Sequence, residues 1–192
     1  MFKSQLCWCE IILSIFFFYF RKLAESIFDV QDNYEWETHI FFDDAFEPGP
    51  DDLGNPRQVN QFVKLLIQQV DVEGKKWYGP RKMKIPPPVK YTTPYGGRLV
   101  WTLPGETQII CHLKDKEKIR HKKRWSQCMY MYYFLGFQLD ANPELTEAQK
   151  KLRAKNTYLL ALDGDVDFKP EAITKLVDLM KRNPVSLHGF RK

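Results

Sequence analysis

The chain has 192 residues, of which 44% are hydrophobic and 15% aromatic, so it can bury a core, and its length predicts one domain. Its 29 basic and 24 acidic residues give a net charge of +5, a mild excess that does not by itself indicate a nucleic-acid-binding protein. The cysteines form no CxxC pair and lie at no zinc-finger spacing from a histidine, which excludes a zinc finger and predicts reduced thiols facing the cytosol; they are Cys7, Cys9, Cys111 and Cys128.

The N-terminal segment contains a strongly apolar stretch at 11–20, "IILSIFFFYF", followed by Arg21 and Lys22. It is shorter than the roughly 18 to 20 apolar residues that span a bilayer. No small-residue cleavage site typical of a signal peptide follows it convincingly. Insertion into a membrane and packing within the protein are therefore both open for this segment.

The first predicted strand is the aromatic-rich string "HIFFDDAF" at 39–46, which ends in acidic residues. A helix is predicted at 58–70, because apolar residues recur there at the spacing of one helical face. That face consists of Val59, Phe62, Val63, Leu66 and Val70. Residues 74–94 are interrupted by glycine and proline, which predicts a loop or an extended connector.

Alternating residues between 96 and 114 predict a β-hairpin around a "PGET" turn. One side would carry Leu99, Trp101 and Leu103 before the turn and Ile109, Cys111 and Leu113 after it. The pattern becomes helical from 115 to 136. The apolar face predicted there consists of Trp125, Cys128, Met129, Tyr132 and Gly136.

The last part of the chain predicts a short charged helix before 156, a buried strand at 158–162 and a final helix. Pro170 suits the first turn of that helix, and Asn183-Pro184 would end it. Its apolar face would consist of Ile173, Leu176, Val177 and Met180. A strand, an acidic loop and a helix in this order are typical of α/β proteins.

Three carboxylates follow the predicted buried strand at alternate positions, Asp163, Asp165 and Asp167. Open α/β sheets place ligand sites at the carboxyl ends of strands. Mg²⁺ is typically held by one or two carboxylates together with substrate phosphates. Asp163 and Asp165 are therefore candidate metal ligands, although a solvated turn has the same composition.

Two other metal motifs can be compared with this acidic loop by spacing. An EF-hand beginning at Asp163 would need glycine and glutamate at the positions of Phe168 and Thr174, so the EF-hand is excluded. A phosphotransferase of the haloacid-dehalogenase type also has Asp-x-Asp after an apolar strand. It would have threonine or valine at Asp167 and more residues downstream, and it stays an alternative.

A basic segment runs from 111 to 127, and its cationic residues are Lys114, Lys116, Lys118, Arg120, Lys122, Lys123 and Arg124. This charge density favours phosphate binding. A nucleic acid is the alternative partner, but the segment lacks the stacking pattern of single-strand binding. A solvated helix start would have a similar composition, and Trp125 is more typical of a core residue than of a base-stacking platform.

Four long strings resemble the cytoplasmic catalytic region of insect- and nematode-type chitin synthases: "YEWETHIFFDDAFE", "GGRLVWTLPG", "CHLKDKEKIRHKKRWSQCMYMYY" and "NTYLLALDGDVDF". The similarity covers about 34–183. It implies a processive family-2 glycosyltransferase with an α/β fold of the GT-A (Rossmann-like) type, of which this chain would carry an incomplete sheet. Residues 1–33 and the tail at 184–192 would lie outside that partial domain.

The resemblance also implies substrates and site residues. The donor would be UDP-N-acetylglucosamine, the acceptor a growing β-1,4 chitin chain, and the cofactor a divalent metal, Mg²⁺ or Mn²⁺. Asp163 would bind the metal and the nucleotide sugar, Asp165 the metal, and Lys118 the diphosphate. The parent enzyme would lie in the plasma membrane, held there by parts outside this sequence, with this region on the cytoplasmic side and no nucleic acid as a partner.

The family's catalytic-base segment and its Gln-x-x-Arg-Trp acceptor motif do not follow the acidic loop in this sequence, so no catalytic residue is assigned. Asp43 and Asp44 would lie upstream of the active-site carboxylates and receive no role in the site. The sequence therefore predicts a fragment of the enzyme that is inactive alone. The alternative is a catalytically dead module that binds a nucleotide diphosphate.

Overall fold

The computed structural model describes residues 37–49, 57–81, 84–104, 106–120, 122–133, 136–137, 141–157 and 170–182. The chain divides into two compact units, one of residues 33–157 and one of residues 1–32 with 158–192. The apolar stretch at 11–20, the predicted strand at 158–162 and the three carboxylates after it lie outside the described residues.

The larger unit is built on a four-stranded mixed sheet in the order β1-β6-β5-β4. Its strands are β1 (Glu37–Phe42), β4 (Val89–Thr93), β5 (Gly96–Thr102) and β6 (Gln108–Lys114). β5 is antiparallel to both of its neighbours, whereas β1 runs parallel to β6. Two short strands, β2 (Phe46–Glu47) and β3 (Gln58–Val59), form a separate antiparallel pair. Strands and helices together confirm the α/β class.

The predicted hairpin is confirmed as β5 and β6. Trp101 lies opposite Ile109, and Leu99 lies opposite Cys111, so the alternating apolar residues share one face of the sheet. These four side chains are at most 5% exposed. The hairpin therefore supplies much of the core of the larger unit.

Gly96 begins β5 with a φ of 142°, a conformation that side-chain-bearing residues rarely adopt. A Cβ atom at this position would lie 2.3 Å from the carbonyl oxygen of Leu113. Glycine at 96 thus lets β5 approach the end of β6 closely.

The first helix, α1 (Gln61–Tyr78), confirms the helix predicted at 58–70 from residue 61 onward and continues for two more turns. The prediction was wrong for Gln58 and Val59, because they form the short strand β3. The Asn60 side chain caps it by accepting a hydrogen bond from the backbone N–H of Val63. Val63, Leu66 and Val70 are buried, as the apolar spacing predicts. The prediction of a loop from residue 74 was wrong for 74–78, because Gly74 lies inside the helix where Ile85 packs against it.

The second helix, α2 (Lys123–Met131), begins eight residues after the start predicted at 115, and π-helical backbone follows it at 132–133 and 136–137, close to the predicted end. β6 extends to Lys114, and a turn at 116–118 follows it. The predicted apolar face was also wrong: Trp125 is 42% exposed, Tyr132 is 80% exposed, and Cys128 is exposed. Ser126 is instead the buried residue of this helix.

Two further helices agree with the sequence. α3 (Glu147–Asn156) is the short charged helix, and Thr146 and Gln149 form a reciprocal capping box at its start. α4 (Pro170–Arg182) is the helix described in the smaller unit, and it begins at proline as predicted. Among the described helices, we find none whose length and apolar content would let it cross a membrane.

Candidate site at the carboxyl ends of β1 and β6

The parallel pairing of β1 with β6 brings two charged segments to the same edge of the sheet. Phe42 lies opposite Leu113, so both strands end at the same level. Asp43 and Asp44 follow β1, while Asp115 follows β6. In open α/β sheets, ligands bind at the carboxyl ends of parallel strands, which makes this edge the candidate site.

Lys114, the last residue of β6, is fully buried and links three elements at this edge. Its Nζ donates to Asp43 Oδ1 at 3.0 Å and to Ser126 Oγ at 2.6 Å. The Ser126 hydroxyl in turn donates to the same Asp43 oxygen. The first turn of α2 is thereby bonded to the ends of both strands.

Arg57 lies on the other side of the cluster. Its Nη1 lies 2.6 Å from Asp115 Oδ1 and 2.9 Å from Glu117 Oε1, and its Nη2 donates to the carbonyl oxygen of Phe46. Lys116 Nζ donates to Asp44 Oδ2 at 2.8 Å. Within the described part of the chain, the acceptor Asp44 Oδ1 and the donor Arg57 Nε are buried without a hydrogen-bond partner. Each of these two atoms could therefore form a further hydrogen bond at this edge.

The predicted basic segment is therefore not a uniform phosphate-binding surface. The charge of Lys114 is buried against Asp43, and that of Lys116 is paired with Asp44. Lys118 has an exposed side chain like that of Lys116, and its backbone N–H donates to the Asp115 carbonyl oxygen at 3.0 Å. Lys118 thus lies in the turn that follows β6, beside the charged edge.

The other predicted site residues cannot be placed next to Lys118, because Asp163 and Asp165 lie outside the described residues. Their role as metal ligands stays a prediction. The described ranges contain no group of three or more histidine, cysteine, aspartate or glutamate residues that could hold a metal ion.

A chain of hydrogen-bonded polar side chains runs along the sheet beneath α2. It links Glu37 Oε1 to His39 Nε2 at 3.0 Å, His39 Nδ1 to His112 Nε2 at 3.0 Å, and His112 Nδ1 to the Tyr95 hydroxyl at 2.9 Å. Burial, with His39 and Arg98 nearby, lowers the pKa of His112 to about 3. Burial also raises the pKa of Tyr95, so its hydroxyl keeps its proton at neutral pH.

Comparison with known proteins gives three relatives, and all three are named chitin synthase. The chain is 45% identical to chitin synthase chs-2 of Caenorhabditis elegans over 165 residues, which is 85% of this chain. It is 44% identical to chitin synthase chs-1 of the same nematode over 77% of the chain, and 43% identical to a chitin synthase of Meloidogyne artiellia over 79%. By sequence, the chain is a relative of the chitin synthases.

The chitin synthase resemblance read from the sequence is therefore confirmed. The matched segment spans 8 to 11% of the length of these relatives. No protein-family model matches the chain, and no solved structure matches it. The α/β class accordingly rests on the described strands and helices.

Most residues of this charged edge were missed in the sequence analysis. Asp43 and Asp44 were given no role, and Arg57 and Asp115 were not considered as site residues. Each acid directly follows a strand, which is a usable signal. The sequence did not predict that β1 pairs with β6, and it is this pairing that brings the two strand ends together.

Proposed function

We propose that this chain is the part of a GT-A-type glycosyltransferase that binds the sugar donor UDP-N-acetylglucosamine for chitin synthesis. The observation that carries this proposal is the 45% identity to a chitin synthase over 85% of the chain. The parallel β1–β6 pair, with charged residues at its carboxyl ends, is consistent with a nucleotide-binding α/β sheet.

The proposed donor site uses the charged edge of the sheet. Lys118 is an exposed cation of the turn after β6 that would contact the diphosphate, since Lys114 and Lys116 are held by Asp43 and Asp44. Arg57 Nε, which has no hydrogen-bond partner among the described residues, would donate to an oxygen of the bound diphosphate. Asp44 Oδ1 is an acceptor that lies 4.0 Å from Arg57 Nη2, so it would accept only from a hydroxyl or N–H group of the nucleotide sugar.

A divalent metal, Mg²⁺ or Mn²⁺, belongs to this proposal through Asp163 and Asp165. When bound, it would neutralise charge that develops on the leaving diphosphate. The acceptor of the complete enzyme would be a growing β-1,4 chitin chain. The complete enzyme would lie in the plasma membrane with this region on the cytoplasmic side.

The haloacid-dehalogenase alternative is not favoured, because all three relatives are chitin synthases.

We further propose that the 192-residue chain does not lengthen chitin oligomers alone, since the matched segment is about a tenth of each relative. Incubation with UDP-N-acetylglucosamine, Mg²⁺ and a short oligomer tests this. Lengthening that disappears in Asp165→Ala would contradict it.

The donor-binding proposal is tested by titrating the chain with UDP in the presence of Mg²⁺, using calorimetry. The wild type is expected to bind, and Lys118→Ala is expected to bind about tenfold or more weakly, because it loses one charge-assisted contact. Lys90→Ala is the matched control, since Lys90 is an exposed lysine on the edge strand β4. Equal affinities of the two variants would remove Lys118 from the site.

A further inference from the structure

The polar chain of Glu37, His39, His112 and Tyr95 has one consistent hydrogen-bond direction when both imidazoles are neutral. The Tyr95 hydroxyl donates to His112 Nδ1, His112 Nε2–H donates to His39 Nδ1, and His39 Nε2–H donates to the Glu37 carboxylate. In this arrangement the carboxylate only accepts, and each neutral imidazole donates from one nitrogen and accepts at the other. Both histidines are accordingly Nε2–H tautomers in this state.

One added proton would reverse part of this direction. If His39 also carries a proton on Nδ1, that N–H must donate to His112 Nε2, which can accept only after losing its own proton. His112 then holds its proton on Nδ1 and donates to the Tyr95 oxygen. The protons balance in three movements. The His112 Nε2 proton moves to His39 Nδ1, and the Tyr95 hydroxyl proton moves to His112 Nδ1. The Tyr95 oxygen then takes up the proton that was added from solvent.

The groups around the chain determine where the charge settles. His39 lies beside the Glu37 carboxylate, whereas His112 faces Arg98. The rings of Tyr130 and Tyr133 contact that of His39 edge-to-face, and the ring of Tyr133 contacts that of His112 in the same way. Burial, with Glu37 nearby, raises the pKa of Tyr130, so its hydroxyl is neutral at neutral pH. A positive charge on His39 would lie beside a carboxylate, whereas one on His112 would lie near the Arg98 cation.

One end of this chain, Tyr95, touches the charged edge of the sheet, and Tyr130, whose ring contacts His39, connects its middle to the same edge. The Tyr95 carbonyl oxygen accepts the backbone N–H of Asp115 at 2.8 Å. Tyr130 belongs to α2, the same helix in which Ser126 bonds Lys114 and Asp43. A change of hydrogen-bond direction under α2 therefore has two direct routes to the edge.

We propose that the chain Glu37–His39–His112–Tyr95 is a proton-dependent positioning element, in which protonation of His39 switches the tautomer of a neutral His112 and shifts Tyr95 and α2 at the carboxyl edge of β1 and β6. His39 and His112 are positioning residues in this scheme, because they act through Tyr95 and α2. The inference depends on the fold alone and is independent of donor binding.

The test is ¹⁵N NMR of the histidine rings in the full chain, from about pH 7.5 to about pH 5, where histidine ordinarily titrates. His39→Gln and His112→Gln assign the signals. We expect two neutral Nε2–H tautomers at high pH, then a charged His39 with His112 still neutral but protonated on Nδ1. The backbone amide signals of Asp115 and Ser126 should move with the same midpoint.

Two variants sharpen the result. Glu37→Gln removes the carboxylate beside His39 and should lower the midpoint by roughly 0.2–0.7 pH unit. Glu47→Gln, which removes an exposed carboxylate paired with Lys64, should leave the midpoint unchanged. The proposal is overturned if His112 becomes charged in the same step, if His112 keeps its Nε2–H tautomer while His39 is charged, if neither ring changes, or if the amides of Asp115 and Ser126 do not respond.

Discussion

The buried ammonium group of Lys114 lies 3.0 Å from a carboxylate oxygen of Asp43 and joins the ends of two parallel strands. The lysine side chain is 0% exposed and the aspartate side chain is 40% exposed. Water can therefore reach the carboxylate but not the cation. The contact depends on the pairing of β1 with β6, because the two residues lie 71 positions apart in the chain.

Lys114→Met should lower the free energy of unfolding by about 1–3 kcal/mol, because Ser126 loses a buried partner and Asp43 loses its cation. Urea denaturation measures the change. Lys116→Met is the matched control, since it breaks an exposed pair with Asp44 and should cost about 0–1 kcal/mol. Equal losses in the two variants would show that burial of Lys114 adds nothing to the pair.

The stability of the chain should fall in mild acid because of His112. Its pKa is lowered from 6.5 to about 3 in the folded protein, so the unfolded chain binds more protons between these values. The contribution of His112 is complete above pH 6.5 and is lost as pH falls towards 3, at most by about 1.4 kcal/mol per pH unit. Urea denaturation of the wild type and His112→Gln at several pH values measures it. A pH dependence as steep in the variant as in the wild type would contradict the prediction.

The parts of the fold that could be predicted from sequence have local signals. The hairpin of β5 and β6 follows from alternating apolar residues around a proline-glycine turn. α3 follows from a short charged stretch with a cap at Thr146. The pairing of β1 with β6 could not be predicted, since apolar spacing says that a strand exists but not which distant strand lies beside it.

The packing face of α2 was mispredicted for a physical reason. Apolar spacing favoured Trp125, Cys128 and Tyr132 as the buried face. The surface beneath the helix is polar and aromatic, however, because His39, His112 and Lys114 lie there. Ser126 forms a hydrogen bond with Lys114, and the rings of Tyr130 and Tyr133 contact the two histidines edge-to-face. A rule that seeks apolar residues cannot find a helix that packs through hydrogen bonds and ring edges.

Gly96→Ala should destabilise the chain strongly, by about 2 kcal/mol or more, because a methyl group there would meet the Leu113 carbonyl oxygen and the φ of 142° is strained for alanine. Gly136→Ala is the control, since Gly136 does not have a positive φ and an added carbon there would meet no atom within 4 Å apart from its own chain neighbours and helix backbone. Its stability should be unchanged or up to about 1 kcal/mol higher. Thermal or urea unfolding compares the two, and a Gly96→Ala chain as stable as Gly136→Ala would refute the close approach at β6.

The corrected face of α2 predicts a large effect for one tyrosine and a small effect for another two positions away. The Tyr130 ring lies 5.4 Å from that of Phe41 and 5.8 Å from that of His39, measured between centroids. Tyr130→Ala should therefore lower the free energy of unfolding by about 1–3 kcal/mol, less than for a fully buried aromatic residue. Tyr132 is 80% exposed, so Tyr132→Ala should change the free energy by about 0.5 kcal/mol at most.

Urea denaturation of these two variants decides between the faces, because both substitutions remove the same side chain at or next to the end of α2. A larger loss of unfolding free energy in Tyr132→Ala than in Tyr130→Ala would show that the buried face of α2 is the apolar face predicted from spacing. The predicted order places the buried face of α2 over β1 and β6. In that arrangement Ser126, one turn before Tyr130, lies where it can bond Lys114 and Asp43 together.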